Sequence, residues 1–159
     1  NSSDSKLVIT CRNMAPQVGG SPVLLSNLFQ AYRGKLEAVV GWEHATRIDP
    51  AFKPPCKTHY LRFRPKIVHR VIEHYKGLWF FLVRWFVYFK LKRIKPAAVF
   101  AVCTPDGFFF VASFLACRKL GIPFWAHMHD LWVENTTDPK GLSRSLANQW
   151  EAEIFRSAD

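Results

Sequence analysis

The sequence predicts a doubly wound α/β fold, in which helices cover both faces of one parallel β-sheet. Two observations support this prediction. Short, continuously apolar runs bounded by turn residues recur along the 159 residues, and segments with helical periodicity lie between them. Strands that are apolar throughout are typical of sheets buried on both faces. Because helices connect these strands, parallel pairing with right-handed crossovers is expected.

Five strands and four helices follow from these patterns. The predicted strands cover residues 7–11, 38–42, 60–63, 98–103 and 124–128. The predicted helices cover residues 22–33, 66–94, 107–120 and 143–157, each after Gly, Pro, Ser, Thr or Asp signals. The stretch 47–57 contains three prolines and is predicted to be a loop. Neither an internal repeat nor a low-complexity tract is present, so a single domain is expected.

Composition limits the class of protein. Hydrophobic residues make up 49% of the chain, which is enough for a buried core. Lys and Arg outnumber Asp and Glu by 22 to 12, and the resulting charge of +10 favours phosphates, anionic lipids or nucleic acid as partners. Four cysteines without a CxxC pair predict reduced thiols and a cytoplasmic protein. The polar N-terminus without Met predicts a fragment without a secretory signal.

A glycine pair follows the first strand. Gly19 and Gly20 precede a helix that Ser21 and Pro22 are expected to begin, as N-cap and first helical residue. In an open α/β sheet, ligands bind beyond the carboxyl ends of the strands, and a helix N-terminus attracts anions. The loop matches neither GxGxxG nor a P-loop with its Lys. The glycine pair is therefore compatible with either an anion-binding loop or a plain tight turn.

The fifth strand leads into a cluster of polar residues, namely His127, His129, Asp130 and Glu134, with Trp132 among them. Alternation along a strand places His127 and His129 on one face, so that one lines a pocket while the other orients it. No zinc-ligand spacing is present, so no metal is expected. The alternative is that one histidine is a hydrogen-bonded core group and Asp130 only caps a turn.

The predicted helix at 66–94 is the third feature of interest. Its apolar run from Leu78 to Phe89 is too short to span a bilayer. Aromatic residues between basic ends suit a helix that lies on an anionic membrane surface. A core helix with one solvated face is the alternative. On a continuous helical wheel, the predicted polar stripe consists of Lys66, Arg70, Glu73, Gly77, Arg84, Tyr88 and Lys95.

Together these segments resemble the N-terminal domain of family 4 glycosyltransferases, which have the GT-B fold with Rossmann-like halves. The most specific match is His129-Asp130-Leu131-Trp132 with Glu134, which is similar to a His-Asp-Leu-Trp-Pro-Glu turn of many members; Val133 replaces the proline. Residues 8–11 with the glycine loop, 95–99, 118–123 and the closing helix at 149–159 also resemble the family.

The resemblance implies retaining transfer of a sugar from a nucleotide-sugar donor to a glycan or lipid-linked acceptor. Residues 1–159 would form the acceptor-side domain, inactive without the C-terminal donor-binding domain. Neither a cofactor nor a metal is implied. His129, contacting the transferred sugar, and Asp130, supporting the turn, are the implied catalytic residues. The expected substrate-binding residues are Gly19, Gly20, Ser21, His127, Trp132 and Glu134.

Two other classes of protein fit parts of this sequence. A nicotinamide-dependent enzyme would share the sheet, but its glycine fingerprint is absent. A non-enzymatic basic domain that binds a membrane surface or nucleic acid would explain the charge and the aromatic helix, but not the His-Asp turn. The glycosyltransferase interpretation therefore leads, with a cytoplasmic location and peripheral attachment to the cytoplasmic face of a membrane as expectations. The sugar, the nucleotide and the acceptor are not specified by these residues.

Overall fold

A parallel five-stranded sheet forms the centre of the fold. The computed structural model describes residues 6–43, 47–128, 132–134 and 140–157. The strand order is β3-β2-β1-β4-β5, and every neighbouring pair is parallel. The strands are β1 (Lys6–Cys11), β2 (Lys35–Gly41), β3 (Lys57–Leu61), β4 (Ala98–Val102) and β5 (Phe124–His127).

The helices cover both faces of this sheet, which confirms the predicted fold class. They are α1 (Gly20–Gln30), α2 (Lys66–His74), α3 (Lys76–Ile94), α4 (Phe108–Leu120) and α5 (Leu142–Ser157). The chain leaves β1 toward β2 and β3 on one side and returns to β4 and β5 on the other. This reversal between β1 and β4 opens a crevice at the carboxyl ends of the two strands, where ligands of such sheets bind.

Alternating residues of β1 pack on opposite faces of the sheet, which explains why most of the strand is apolar. Ile9 packs with Leu25 and Phe29 of α1 on one face of the sheet. Its neighbour Val8 belongs to the other face, in a larger core that includes Val83 of α3 and residues of α4 and α5. Since both faces are buried, most positions in β1 are apolar, and the polar Thr10 accepts a hydrogen bond from the Ser113 hydroxyl of α4 at 2.7 Å.

The single helix predicted at 66–94 is wrong, because the chain breaks it at Tyr75 (φ −87°, ψ 79°). The buried residue of α2 is His69, whose Nδ1 accepts a hydrogen bond from the Phe63 amide at 3.3 Å. The His69 ring also lies 5.0 Å from the ring of Trp79 in α3. Because the helix is interrupted at Tyr75, residues 66–95 do not form one helix with a continuous polar stripe.

The start of α1 also differs from the prediction. Gly19 is the N-cap, and its carbonyl accepts the first helical hydrogen bond from the Val23 amide at 3.2 Å. Ser21 and Pro22 lie within the first turn, and no side chain caps the helix. A proline is tolerated there because first-turn amides have no acceptor within the helix.

Candidate functional site

A cleft of about 370 Å³ lies at the carboxyl edge of the sheet, between the ends of β1 and β4 and the N-terminus of α1. It occupies the crevice that the strand order creates. Its polar wall includes Arg12, Asn13, Glu43 and Thr104, each of which follows a strand. Gly19, Gly20 and Ser21 line the opposite wall. Three of the predicted substrate-binding residues therefore share one cleft.

A charged cluster joins three strand ends at this cleft. Arg12 contacts Asp106 Oδ2 at 2.7 Å and Glu43 Oε1 at 3.4 Å. Asn13 donates to Glu43 Oε2 at 3.0 Å, and Thr104 donates to Asp106 Oδ1 at 2.7 Å. Burial opposes the charge of Arg12, but the carboxylates of Asp106, Glu43 and Glu73 outweigh it and raise the pKa of the guanidinium. Arg12 therefore stays charged and holds Asp106 and Glu43 in place.

The glycine loop offers open space rather than a strained turn. Gly19 is extended, with φ 175°, and Gly20 begins the helix, so neither has the positive φ that favours glycine. A Cβ atom at Gly20 would meet no atom within 4 Å. The amides of Gly20 and Ser21 lie in the first turn of α1, where no acceptor within the helix exists. The space beside them is free for a ligand.

Hydrogen bonds fix the loop that carries these glycines. Gln17 is fully buried, and its Nε2 donates to the Gly41 carbonyl at 3.3 Å while its Oε1 accepts from the Glu43 amide at 2.9 Å. Val18 donates from its amide to the Arg47 carbonyl at 2.7 Å. The loop is thus tied to the end of β2, which gives the cleft a preorganised wall.

His127 is the last residue of β5. Its ring stacks on Phe100, with centroids 5.2 Å apart and planes at 30°. Its carbonyl accepts a hydrogen bond from the Cys103 amide at 2.8 Å, which joins the ends of β4 and β5. His127 is half-buried at the carboxyl edge. His129 and Asp130 lie outside the described residues, so their predicted roles stay predictions.

Trp132 lies in the core, with 1% of its surface exposed. Its ring packs edge-on to Phe110, and a Cβ atom at Gly107 would lie 1.8 Å from it. Glu151 of α5 accepts hydrogen bonds from the Trp132 and Val133 amides at 2.9 and 3.2 Å. These contacts anchor the turn after β5, whereas Glu134 beside them is exposed.

The cluster of Arg12, Glu43 and Asp106 was not among the sites predicted from the sequence. A usable signal was present, because each residue follows directly or closely on a buried strand. In a parallel sheet these strand ends share one edge, so polar residues there are brought together. Without the strand order, however, the sequence does not show which of several such residues become neighbours.

Neither metal nor thiol chemistry is evident in the part of the chain that the structure describes. No three His, Cys, Asp or Glu residues in these ranges lie close enough to hold a metal ion. All four cysteines are free, and burial raises the pKa of the Cys117 thiol to about 12. Among the described helices, none is long and apolar enough to cross a membrane.

The strand order and the cleft at the carboxyl edge define a Rossmann-like α/β domain. The sequence matches no protein-family model and no curated protein. UDP-GlcNAc 2-epimerase from Methanocaldococcus jannaschii has a similar structure, with 12% identity and a TM-score of 0.52 over 91% of this chain and 36% of that chain. At this identity, the likeness establishes the fold alone.

Two further solved structures were matched with lower TM-scores. MurG from Acinetobacter baumannii is 12% identical, with a TM-score of 0.44 over 92% of this chain and 39% of that chain. CobK precorrin-6A reductase is 13% identical, with a TM-score of 0.48 over 80% of this chain and 40% of that chain. The chain therefore spans at most about two fifths of the length of these structures.

Proposed function

We propose that this domain is the acceptor-side half of a retaining, family 4-like glycosyltransferase that uses a nucleotide-sugar donor. The observation that carries the proposal is the cleft beside α1, where first-turn amides that have no acceptor within the helix, and open space at Gly20, adjoin a cluster of hydrogen-bonding side chains. A nucleotide sugar combines an anionic diphosphate with a hydroxyl-rich ring. The two walls of this cleft match those two chemistries.

The glycine wall suits the diphosphate. Amides at a helix N-terminus carry partial positive charge and stabilise an anion without a bound metal. Gly20 and Ser21 would supply these amides, and the absence of a side chain at Gly20 would allow close approach. In the transfer, the bond from the anomeric carbon to the diphosphate breaks, a bond to the acceptor oxygen forms, and the acceptor proton leaves with the diphosphate. Fixed donors aimed at the leaving oxygen would lower this barrier.

The polar wall suits hydroxyl groups. Arg12 faces two carboxylates, so its charge is already balanced and the cluster as a whole is not a phosphate site. The carboxylate of Glu43 can accept hydrogen bonds from hydroxyls that enter the cleft, and Asn13 beside it can also bond to them. We assign these residues to the sugar or the glycan or lipid-linked acceptor.

The His-Asp turn completes the proposed site. His129 would hold a hydroxyl of the transferred sugar, and Asp130 would support the turn. His127 would help to form the rim at the end of β5, with Glu134 on the exposed side of the turn. Because Trp132 is buried, its role in this proposal is to anchor the turn rather than to touch substrate. The proposed reaction needs no cofactor.

The test uses a pair of helical glycines. Gly20 and Gly77 each lie in the first turn of a helix, and a Cβ atom at either meets nothing within 4 Å. We expect Gly20→Val in the full-length enzyme to fold normally and to lower sugar transfer by about 10²-fold, because misplacing reacting groups by about 1 Å costs that much. Gly77→Val, away from the cleft, should keep wild-type turnover.

His129→Ala should likewise reduce turnover by about 10²-fold, while His127→Ala, which removes the ring stacked on Phe100, should mainly reduce stability. Transfer would be measured with a panel of nucleotide sugars and followed by the anomeric configuration of the product. Normal turnover in both Gly20→Val and His129→Ala would refute the proposed site. An inverted product would refute the retaining mechanism alone.

A further inference from the structure

An exposed aromatic stripe runs along the outer face of α3. One face of this helix, with Trp79, Val83, Val87 and Leu91, is buried in the core. The opposite face carries Leu78, Phe81, Trp85 and Phe89, each about half exposed. We call these four residues the outer stripe. Phe81, Trp85 and Phe89 follow at intervals of four, with centroids 6.0 Å apart for the first pair and 5.1 Å for the second.

The charge around the stripe is of one sign. Residues 76–95 contain six Lys or Arg and no Asp or Glu. Lys92 and Arg93 are exposed at the end of the helix, and Lys119 of α4 lies 4.9 Å from the centre of the Tyr88 ring. Exposed apolar surface with a basic border complements an anionic lipid surface, whose headgroups bind the cations while its acyl region takes up the aromatic rings.

Two open cavities beside Trp85 also combine apolar side chains with Lys and Arg. One, of about 310 Å³, lies between α3 and α4 and has Arg84 and Lys119 among its otherwise mostly apolar lining. The other, of about 390 Å³, lies toward β3 and includes Lys90 and Arg93. Apolar floors with basic groups at the side fit acyl chains joined to phosphate headgroups.

We infer that the outer stripe is a docking surface for an anionic phospholipid bilayer. A second copy of this chain is a poor occupant, because a symmetric contact would bring two all-basic helices together. Nucleic acid would not need the apolar stripe. The neighbouring helix α2 also suits contact with a bilayer, because it exposes the apolar Ile67 and Val71 while it buries His69.

Docking on this surface would lay the sheet along the bilayer, with α3 on the membrane side of the sheet and α1 on the opposite side. α3 follows the carboxyl end of β3 and precedes the amino end of β4, so it runs from the cleft edge of the sheet to the opposite edge. The inference extends the proposed function, since a lipid-linked acceptor would lie in that bilayer. Its test measures vesicle binding and not turnover. The membrane inference and the proposed transfer reaction can therefore fail separately.

The experiment is flotation of the chain with vesicles of phosphatidylglycerol and phosphatidylcholine in equal parts, and with phosphatidylcholine alone. We expect binding to the anionic vesicles that falls at high salt, because salt screens charges at the surface. Binding should be accompanied by a blue shift of tryptophan emission that Trp85→Phe reduces. Equal binding to both vesicle types, or no binding to either, would overturn the inference.

Matched variants locate the surface. Phe89→Ser should weaken vesicle binding about tenfold through lost apolar burial, whereas Phe155→Ser on α5 should not, although the two rings are exposed to a similar degree, 51% and 53%. Lys92→Gln with Arg93→Gln should weaken it about 30-fold, at about fivefold for each cation. Lys53→Gln with Arg156→Gln is the control pair. Circular dichroism would check that each variant folds.

Two results would assign the surface to another occupant. If Phe89→Ser leaves vesicle binding unchanged but converts a dimer to a monomer in sedimentation, the stripe is an interface between copies. If the same substitution abolishes binding of random oligonucleotides instead, the surface binds nucleic acid. Either result would overturn the lipid inference while leaving the proposed transfer reaction to its own test.

Discussion

Gly107→Ala should be strongly destabilising, because two separate costs meet at this residue. Gly107 has φ +67°, a left-handed conformation that costs an L-residue about 1–2 kcal/mol. The new Cβ would also lie 1.8 Å from the ring of Trp132, which must move. Removing a buried Trp entirely costs about 3–5 kcal/mol, and displacing it should cost about half of that. The expected loss is therefore about 2.5–4.5 kcal/mol in total.

Gly121→Ala separates these two costs. Gly121 has φ +66°, but a Cβ atom there meets nothing within 4 Å. It should lose only the conformational part, about 1–2 kcal/mol. Urea denaturation monitored by circular dichroism measures the free energy of unfolding of both variants. At about 2–4 °C per kcal/mol for a chain of this size, Gly107→Ala should lower Tm by about 10 °C, clearly more than Gly121→Ala. Equal losses would show that Trp132 does not pack against Gly107.

Two further predictions concern ionic contacts. Arg12→Ala should lower the free energy of unfolding by about 1–3 kcal/mol, because it leaves the buried Asp106 without its cation. Arg12→Lys should recover part of this loss. If Arg12→Ala were as stable as wild type, the ion pair between Arg12 and Asp106 would be contradicted. Burial alone would raise the pKa of Glu37, but hydrogen bonds from His59 and Lys6 outweigh it and lower the pKa. The stability that Glu37 contributes is thus fully present above its unfolded pKa near 4.5 and is lost as pH falls through its lower folded value. Glu37→Gln should flatten that acid slope in urea titrations, and an unchanged slope would argue against the pairing.

The fold class was predictable from the sequence because the strands of this sheet are buried on both faces. Runs such as 98–102 are apolar at every position, which distinguishes them from half-exposed strands. The first residues of β2 and β3 were harder to predict from the sequence, because both strands begin with exposed or half-buried polar residues, among them Lys35 and Lys57. Their pairing with neighbouring strands, rather than their hydrophobicity, makes these residues part of the sheet.

The break at Tyr75 could not be predicted from periodicity. Ile67 and Val71 give α2 an apolar face, and a sequence pattern assigns such a face to the core. The structure buries His69 instead, because its ring fits between Phe63 and Trp79. Tertiary packing thus overrides the local pattern in α2.

The candidate site was predictable in part. The glycine loop was found because glycines after a first strand are a local signal. The Arg12 cluster was missed because Glu43 and Asp106 are distant from Arg12 in sequence and become its neighbours only through the strand order.

The two hydrogen bonds that Glu151 accepts from the turn after β5 have a consequence for the order in which this domain is completed. During synthesis, β1 to β5 leave the ribosome before α5 does, so the Trp132 and Val133 amides lack their acceptors until α5 packs. Domains fold as units once their last contributing element is available. The turn after β5 should therefore take its final form only when α5 is available, together with the rest of the domain, and a nascent chain that ends before Glu151 should leave the Trp132 and Val133 amides without these acceptors.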